Sequence, residues 1–250
     1  MEIPFAMAHP AIYETVETIL GPMPRGRLLD VPSGRGALAE SLLKMGFDVS
    51  CADLYPEIFQ LENVENLKGD LDGTLPYGDG SFDYIVCVEG LEHIENPANA
   101  VREFARLLKP GGTLIASVPN IMNIEERLRW LVSGYTSHFK PLSKEVQAEY
   151  VEIVGSMEEI AFHINPIGYS EMRFLLEKSG LHDFKLHMDK AKKNSWRFRP
   201  LTALIRLLNR FTSEAKRRRR WADELNSNEV LLGGNTLIFE AKKNERTIAF

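Results

Sequence analysis

Cysteine is scarce in this chain, and long apolar runs are absent from it. Cys51 and Cys87 are the only two cysteines among the 250 residues. Without a CxxC pair, they predict buried, reduced thiols rather than a disulfide framework or a cysteine-based metal site. No apolar run reaches the roughly eighteen residues that a membrane helix needs, so we predict no membrane span. The first residues lack the basic stretch and apolar core of a signal peptide, and we therefore expect a cytoplasmic location.

The net charge of −5 hides an uneven distribution of charge. Residues 190–220 hold twelve Lys or Arg against one acid, Glu214, which gives this segment +11 and leaves −16 for the rest. Acidic surface repels phosphate, so we do not expect the bulk of the protein to bind nucleic acid. The basic segment is instead suited to an anionic partner.

Short apolar stretches alternate with helical patterns through the first half of the chain. This alternation predicts an α/β fold with a doubly wound, mostly parallel sheet and helices on both faces. Right-handed crossovers bring the carboxyl ends of such strands to one edge of the sheet, so side chains that follow them are expected to converge. Strands are predicted at 28–30, 47–53, 82–88 and 113–118, and helices at 10–20, 37–45 and 96–108.

A glycine-bearing turn follows the first predicted strand. The strand ends at Asp30, and Gly34 and Gly36 precede the helix predicted to begin at Ala37. Glycine lacks the Cβ atom that would hold a ligand away from the backbone, and α/β proteins approach nucleotides through strand–turn–helix units of this kind. A dinucleotide-binding domain is the weaker alternative, because Ala39 stands where its fingerprint requires a third glycine.

Acidic residues recur where predicted strands end. Asp30 closes the first strand, Asp53 closes the second, and Asp70 follows a further short segment. A carboxylate at the end of the second strand can accept hydrogen bonds from both vicinal hydroxyls of a ribose. A single acid of this kind is more often a helix N-cap, but three in this order favour a nucleotide-binding edge.

Five segments occur in a specific order. They are LDVPSGRG at 29–36, Asp53, Gly69-Asp70-Leu71, LPYGDGSFDYIVCVEGLEHIENP at 75–97 and LLKPGGTLIASVPN at 107–120. In this combination residues 25–120 resemble a class I S-adenosylmethionine-dependent methyltransferase. The resemblance implies a Rossmann-like sheet of seven strands with helical lid insertions. Pro32 departs from the pattern, because the family usually has glycine there and proline has no N–H to donate.

The resemblance also implies a set of contacts to S-adenosylmethionine. The glycine turn would face the methionine part, Asp53 the ribose hydroxyls, and Asp70 the adenine edge, with Val88 and Glu89 beneath the sulfonium. The full set of implied cofactor-binding residues is Asp30, Ser33, Gly34, Gly36, Asp53, Leu54, Asp70, Leu71, Val88 and Glu89.

The sequence Glu89-Gly90-Leu91-Glu92-His93 is the most suggestive cluster for chemistry. On a helical turn, Glu89, Glu92 and His93 would share one face, since they stand at i, i+3 and i+4. Two carboxylates and an imidazole can hold a divalent cation with positions open for substrate oxygens. The spacing is similar to the metal-binding Glu-x-x-Glu-His of ubiquinone-pathway O-methyltransferases and small-RNA 2′-O-methyltransferases. Those families add a later histidine, for which His163 is the candidate here.

The alternative without a metal is general base catalysis. The catalytic candidates are then His93, His163 and Glu89, with a histidine preferred because imidazole titrates nearest neutral pH. In a third, non-catalytic interpretation His93 only orients a loop and His163 caps the substrate lid. The other histidines show no comparable grouping and are interpreted as surface or packing residues: His9, His138, His182 and His187.

We expect residues 1–250 to form a single methyltransferase domain. Residues 25–120 would be the cofactor-binding core, 121–230 a mostly helical substrate lid with the basic segment, and 231–250 the final strand and tail. Residues Trp196 to Arg220 are amphipathic. Their apolar stripe and cations suit an interfacial helix on anionic membrane. The alternative is a lid helix packed on the body with a solvated basic tail.

The predicted function is methyl transfer to a hydroxyl of a small molecule, saccharide or lipid-linked acceptor. A second hypothesis is metal-assisted methylation of vicinal hydroxyls, as in a quinone precursor or the 2′ position of an RNA terminus. A third, of a different class, is a non-catalytic partner protein that binds the cofactor. RNA binding is not favoured, because interleaved aromatic and basic residues are confined to the neighbourhood of Trp196 and Phe198.

Overall fold

One mixed sheet of seven strands organises the molecule. The computed structural model describes residue 4, residues 6–148 and residues 162–245. The sheet order is β3-β2-β1-β4-β5-β7-β6. The first five strands pair in parallel, and β7 lies antiparallel between β5 and β6. The strands are β1 (Arg27–Asp30), β2 (Asp48–Asp53), β3 (Asn66–Lys68), β4 (Phe82–Cys87), β5 (Leu108–Pro119), β6 (Leu181–Met188) and β7 (Thr236–Lys243).

Helices cover both faces of this sheet, and the predicted doubly wound α/β fold is confirmed. Among the described residues, no helix combines the length and apolar character needed to cross a bilayer. The helices are α1 (Pro10–Leu20), α2 (Ala37–Lys44), α3 (Pro97–Leu107), α4 (Ile124–Ser133), α5 (Tyr169–Lys178), α6 (Arg199–Arg210), α7 (Glu214–Arg219), α8 (Ala222–Leu225) and α9 (Asn228–Leu231).

Alternate residues of the central strands enter two separate cores. Leu28 and Val86 pack with α1 and α2 on one face, whereas Leu29 and Ile85 pack with α3 and α5 on the other. All four side chains are fully buried. This explains the near-continuous apolar character of β1 and β4, because a strand covered on both faces has no solvent side.

The strand order reverses between β1 and β4, which lie side by side in the centre of the sheet. In doubly wound folds a crevice opens at this position, beyond the carboxyl ends of the strands. Asp30 ends β1 and Asp53 ends β2, so the topology brings both acids to that edge. The sequence-predicted convergence thus follows from the crossover geometry.

The segment Trp196 to Arg220 differs from the single amphipathic helix that the sequence suggested. A 3₁₀ turn at Ser195–Phe198 leads into α6, and a separate helix, α7, begins at Glu214. The break occurs because Ser213 adopts an extended backbone conformation before α7. The helical region predicted from 121 onward is formed by α4 in part, and residues 149–161 of it lie outside the described residues.

Candidate functional site

A cavity of about 710 Å³ opens at the carboxyl ends of β1, β2 and β4. All but one of the residues implied as cofactor contacts line it. The exception is Gly36, which has a φ of +92° directly before α2, and a Cβ there would meet the Phe59 ring at 2.8 Å. Gly36 thus allows the tight packing of the turn, and its contact with the cofactor stays a prediction. The residues that do line it are Asp30, Ser33, Gly34, Asp53, Leu54, Asp70, Leu71, Val88 and Glu89.

Asp53 holds the glycine turn against the end of β2. Its Oδ2 accepts a hydrogen bond from the Gly34 N–H at 2.7 Å, and its Oδ1 accepts one from the Tyr55 N–H at 2.9 Å. Gly34 has a φ of +51°, and a Cβ there would meet Met7 Sδ at 2.8 Å. Only glycine fits this position without strain. The Asp53 carboxylate therefore fixes the position of the glycine turn relative to β2.

Asp30 is a buried acid, and one of its two carboxylate oxygens has no hydrogen-bond partner among the described residues. Its side chain is 1% exposed, and the oxygen in question is Oδ2. Burial raises the pKa of Asp30 to about 8, and the charge of Asp53 adds to the effect. A buried carboxylate without a partner is costly, so this position favours a cationic group in the cavity.

The predicted helical turn at Glu89–His93 does not form, and this expectation is corrected. Glu89 has a φ of +50°, which breaks any helix at that residue. Its backbone N–H donates to Ser117 Oγ at 2.9 Å, and the Ser117 hydroxyl donates to Glu89 Oε1 at 3.1 Å. Glu89 is therefore held by β5, while residues 91–95 form an irregular turn. Glu89 lies outside the group that Glu92 and His93 form.

Glu92, His93 and His163 form a compact cluster. One potential ligand atom from each lies within 4.8 Å of the others. The Glu92 carboxylate is fully buried, and neither oxygen has a partner among the residues that the structure describes. Burial raises the pKa of Glu92 well above its ordinary value, and the nearby Glu89 raises it further.

The imidazole rings of His93 and His163 both have lowered pKa values. Burial lowers the pKa of His93, although its Nδ1 lies 3.0 Å from the Phe162 carbonyl oxygen. Donation from Nδ1 to that carbonyl leaves the lone pair on Nε2. Burial, together with the neighbouring His93 and His138, lowers the pKa of His163 to about 4. Both rings are therefore unprotonated at neutral pH.

Backbone hydrogen bonds bring the two histidine segments together. The N–H groups of Ile164 and Asn165 donate to the Glu92 carbonyl at 2.9 and 3.0 Å. The Asn165 side-chain amide donates to the Ile94 carbonyl at 2.6 Å. Residues 162–165 thus lie along the turn that carries His93, which places His163 in the cavity wall.

Comparison with known proteins identifies the family. A family model described as a methyltransferase domain matches residues 29–116. The ubiquinone biosynthesis O-methyltransferase of Xanthomonas euvesicatoria pv. vesicatoria is 33% identical over an alignment of 165 residues, gaps included, which covers 58% of this chain and 67% of that protein. The chain belongs to the class I S-adenosylmethionine-dependent methyltransferases.

Other relatives of this methyltransferase match less of its length or only its fold. The ubiquinone biosynthesis O-methyltransferase of Xanthomonas campestris pv. campestris is 34% identical over an alignment of 143 residues that covers 49% of this chain, and the chain spans 58% of that relative. A methyltransferase from Archaeoglobus fulgidus has a TM-score of 0.53 at 17% identity, covering 92% of this chain and 94% of that one. A possible histamine N-methyltransferase from Thermotoga maritima has a TM-score of 0.56 at 18% identity, covering 94% and 91%. Identities this low show the common fold alone.

The cavity of this methyltransferase fits the cofactor of its family, S-adenosylmethionine. The cofactor carries an ammonium and a sulfonium, and the unpartnered oxygen of Asp30 is suited to positive charge. Ser33 and Gly34 of the turn line the cavity, so a ligand there can contact the turn. Leu54, Leu71 and Val88 supply apolar surface of the kind that a purine ring contacts.

The cluster of Glu92, His93 and His163 also fits a divalent cation. The unpartnered oxygens of Glu92 and the free Nδ1 of His163 are donors of the type that such ions bind. A bound ion would balance the carboxylate charge that burial otherwise makes costly. Glu89, the fourth predicted ligand, does not belong to this group of atoms.

His138 is a residue of this site that the sequence interpretation missed. Its ring stacks on that of His163 with centroids 6.4 Å apart, and its Nε2 is buried without a partner among the described residues. Ser137 beside it donates from N–H and Oγ to the Glu126 carboxylate, both at 2.7 Å. The break in helical pattern at 134–138 was the only sequence signal.

Tyr13 and Met7 were also missed, although both line the cavity from the N-terminal segment. No local motif marks them, because they reach the site only through the packing of α1. His9, in contrast, is a helix cap, since its Nδ1 accepts a hydrogen bond from the Ala11 N–H at 3.1 Å. His187 lies in β6 and pairs with Glu240 at 3.2 Å, in keeping with a packing role.

Proposed function

We propose that this methyltransferase moves the methyl group of S-adenosylmethionine to a hydroxyl oxygen of a small molecule. One observation carries the proposal: a single cavity joins the acid-lined cofactor edge to the pair His93 and His163. The ubiquinone biosynthesis O-methyltransferases among the relatives support an oxygen acceptor. Aromatic hydroxyls are the acceptor class that this comparison favours, with saccharide and lipid-linked hydroxyls as alternatives.

In this proposal the cofactor lies across the ends of β1, β2 and β4. Asp53 accepts hydrogen bonds from the ribose hydroxyls, and the free oxygen of Asp30 faces the methionine ammonium. Ser33 and Gly34 contact the methionine part. Asp70, Leu71 and Leu54 surround the adenine, while Val88 and Glu89 lie beneath the sulfonium. The methyl group would then point toward the two histidines.

His93 is the proposed general base. Its Nδ1 hydrogen bond to the Phe162 carbonyl supports a tautomer in which Nε2 is free to accept a proton. The acceptor oxygen attacks the methyl carbon along the S–CH₃ axis, the C–S bond breaks toward sulfur, and the hydroxyl proton passes to Nε2. The chain contributes alignment and proton removal, because a methyl sulfonium is already a strong electrophile. His163 packs against His93 and limits its orientation.

A second candidate function is metal-assisted methylation of vicinal hydroxyls. The buried, unpartnered carboxylate of Glu92 beside His93 and His163 favours it specifically. When bound, a divalent ion supplies Lewis acidity that lowers the pKa of a coordinated hydroxyl. Glu92, His93 and His163 would hold the ion, and the shape of the cavity would orient the two acceptor oxygens.

Turnover with isotopically labelled S-adenosylmethionine on a panel of simple phenols and catechols tests both candidates. We expect methylated product from at least one acceptor and none from the corresponding methyl ethers. Chelator treatment followed by Mg²⁺, Mn²⁺ or Zn²⁺ distinguishes the two versions. Loss and restoration of turnover supports the metal, whereas unchanged turnover leaves His93 as base. Cofactor binding without turnover on any hydroxyl acceptor would favour the non-catalytic hypothesis.

A further inference from the structure

Helix α6 presents its apolar stripe to solvent. Leu204, Leu207, Leu208 and Phe211 stand at i, i+3, i+4 and i+7, and they are 49%, 51%, 58% and 81% exposed. This spacing places them on one side of the helix. A helix that packs on a protein body normally turns such a stripe toward the core. Helix α6 instead turns its apolar stripe toward solvent.

Polar side chains on the opposite side of α6 fix this orientation. Arg206 Nε donates to the Asn226 carbonyl at 2.8 Å, and its Nη2 donates to Asn228 Oδ1 at 2.8 Å. Asn209 donates to Asp223 Oδ1 at 3.0 Å, and Thr202 is 2% exposed. Rotating the stripe inward would break all of these bonds. These hydrogen bonds therefore keep the apolar stripe of α6 exposed.

The end of α4 carries further exposed apolar side chains. Trp130, Leu131 and Val132 are 54%, 80% and 87% exposed. Helix α4 is held to the same residue as α6, since Arg127 Nη1 donates to Asn226 Oδ1 at 3.1 Å. We call the four apolar residues of the α6 stripe the outer face.

Cations border the outer face. Arg210 ends α6, and α7 carries Lys216 to Arg219 with Arg220 directly after it. Most of these side chains are exposed. The charge of +11 over residues 190–220 contrasts with −16 over the rest of the chain. The combination of an exposed apolar stripe and bordering cations matches the requirements of an interfacial helix.

We propose that the outer face docks on the surface of a bilayer rich in anionic phospholipid. The apolar side chains would enter the boundary between headgroups and acyl chains, and the cations would meet the lipid phosphates. A second copy of the chain is a poorer occupant, because two identical basic faces repel each other across a symmetric contact. RNA is also a poorer occupant, because three of the four residues of the α6 stripe are leucines, which offer a base neither stacking nor hydrogen bonds.

The basic segment begins close to the cavity. Lys190 Nζ lies 2.8 Å from His9 Nε2, and the neighbouring Met7 and Ala8 line the cavity. Docking would therefore bring the site near the bilayer surface, where an amphiphilic acceptor resides. That last consequence rests on the proposed function, whereas docking itself requires no turnover.

Co-sedimentation of the full chain with vesicles tests the proposal. Vesicles of phosphatidylglycerol mixed with phosphatidylcholine are compared with vesicles of phosphatidylcholine alone, at low and high NaCl. We expect binding to the anionic vesicles that weakens as salt screens the attraction. The double variant Leu208→Ser/Phe211→Ser should lower the partition coefficient about tenfold or more, because it removes buried apolar surface. Phe174→Ser is the matched control, since Phe174 is a 50% exposed phenylalanine on α5 outside the outer face.

The outcomes separate docking from catalysis. Equal sedimentation with both vesicle types, or a Leu208→Ser/Phe211→Ser variant that binds like the Phe174→Ser control, would overturn the proposal. A chain that dimerises through the outer face in analytical ultracentrifugation, or binds single-stranded RNA in preference to vesicles, would also overturn it. Turnover of a soluble acceptor by the double variant should stay within about twofold. A wild-type chain that methylates a soluble acceptor but does not sediment with anionic vesicles would refute the docking and leave the proposed function standing.

Discussion

His93 and His163 meet edge to face with ring centroids 4.7 Å apart, although α3, β5 and α4 lie between them in the chain. The neighbouring His93 helps to lower the pKa of His163, because like charges repel. The contact depends on the backbone hydrogen bonds that attach residues 162–165 to the Glu92 carbonyl. This contact joins two segments into one wall of the cavity.

Replacement of Asp53 by Ala should weaken S-adenosylmethionine binding by about 1.5–3 kcal/mol, because hydrogen bonds to a charged group have this magnitude. Asp53→Asn, which keeps the volume and one acceptor oxygen, should lose less. Isothermal titration calorimetry measures both. Asp48→Ala, at the opposite end of β2, is the control and should bind normally. Unchanged affinity in a folded Asp53→Ala protein would contradict the ribose assignment.

Replacement of His93 by Gln should lower turnover about 100-fold or more, the range that a general base contributes. Cofactor affinity should change little, since the imidazole is proposed to act on the acceptor. His187→Gln, a histidine in β6, serves as control. If His93→Gln retains more than half of the wild-type rate under saturating substrate, neither the base nor the metal-ligand role holds.

Replacement of Glu92 by Gln distinguishes a metal site from a protonated acid. If the cluster binds a divalent ion, losing the carboxylate should lower the affinity for Mn²⁺ or Zn²⁺ at least tenfold in calorimetry. Without an ion, the neutral amide resembles the protonated acid that burial favours, and stability should be kept or increased. Glu95→Gln, an exposed acid in the same turn, is the control. Equal metal affinity in both variants would argue against the cluster as a metal site.

The ligand-free protein should lose stability as the pH rises from about 4 to about 8. Burial raises the folded-state pKa of Asp30 to about 8, so the folded state keeps a proton that the unfolded state releases near pH 4. The stabilising contribution is complete below the unfolded pKa and is lost through this window. Asp30→Asn should reduce the slope and raise the free energy of unfolding by about 4 kcal/mol at pH 7, since each pH unit in the window contributes about 1.4 kcal/mol.

Denaturant titrations across that pH range, with and without the cofactor, measure this effect. Asp30→Asn should at the same time bind S-adenosylmethionine more weakly, because the amide offers no charge to the ammonium. A wild-type protein and an Asp30→Asn variant with identical pH dependence would show that Asp30 does not titrate in this window.

Replacement of Gly90 by Ala should destabilise the protein by about 1–3 kcal/mol, the usual cost of overpacking. The new Cβ would stand 2.7 Å from Pro32 Cδ, which belongs to the cofactor turn. Gly73→Ala is a matched control, since the nearest atom to its Cβ would be 3.5 Å away. Thermal unfolding of the two variants measures the difference. Similar unfolding temperatures would show that the turn at Gly90 accommodates the added Cβ without strain.

Local sequence pattern was sufficient for the first half of the fold. Four of the five strands between Arg27 and Pro119 were predicted, because covered strands are continuously apolar and helices repeat at a period that neighbouring residues reveal. The three-residue strand β3 is too short for such a pattern. The glycine turn and Asp53 follow from the same local logic, since chain order fixes which strand ends share an edge. Their placement in one cavity required no knowledge of distant contacts.

Tertiary structure decided three further features: the backbone of Glu89, the position of His138 and the rotation of α6. The left-handed backbone of Glu89 follows from its bonds to Ser117, which no spacing in the sequence reports. His138 joins His163 through packing between segments that are separate in the chain. The rotation of α6 about its own axis is set by the hydrogen bond from Arg206 to the Asn226 carbonyl. Periodicity in the sequence defines an apolar stripe but does not say whether the stripe faces the core or solvent. The sequence alone therefore determined the cofactor edge of this methyltransferase, whereas long-range hydrogen bonds and packing determined the cavity wall that carries its histidines and its outer face.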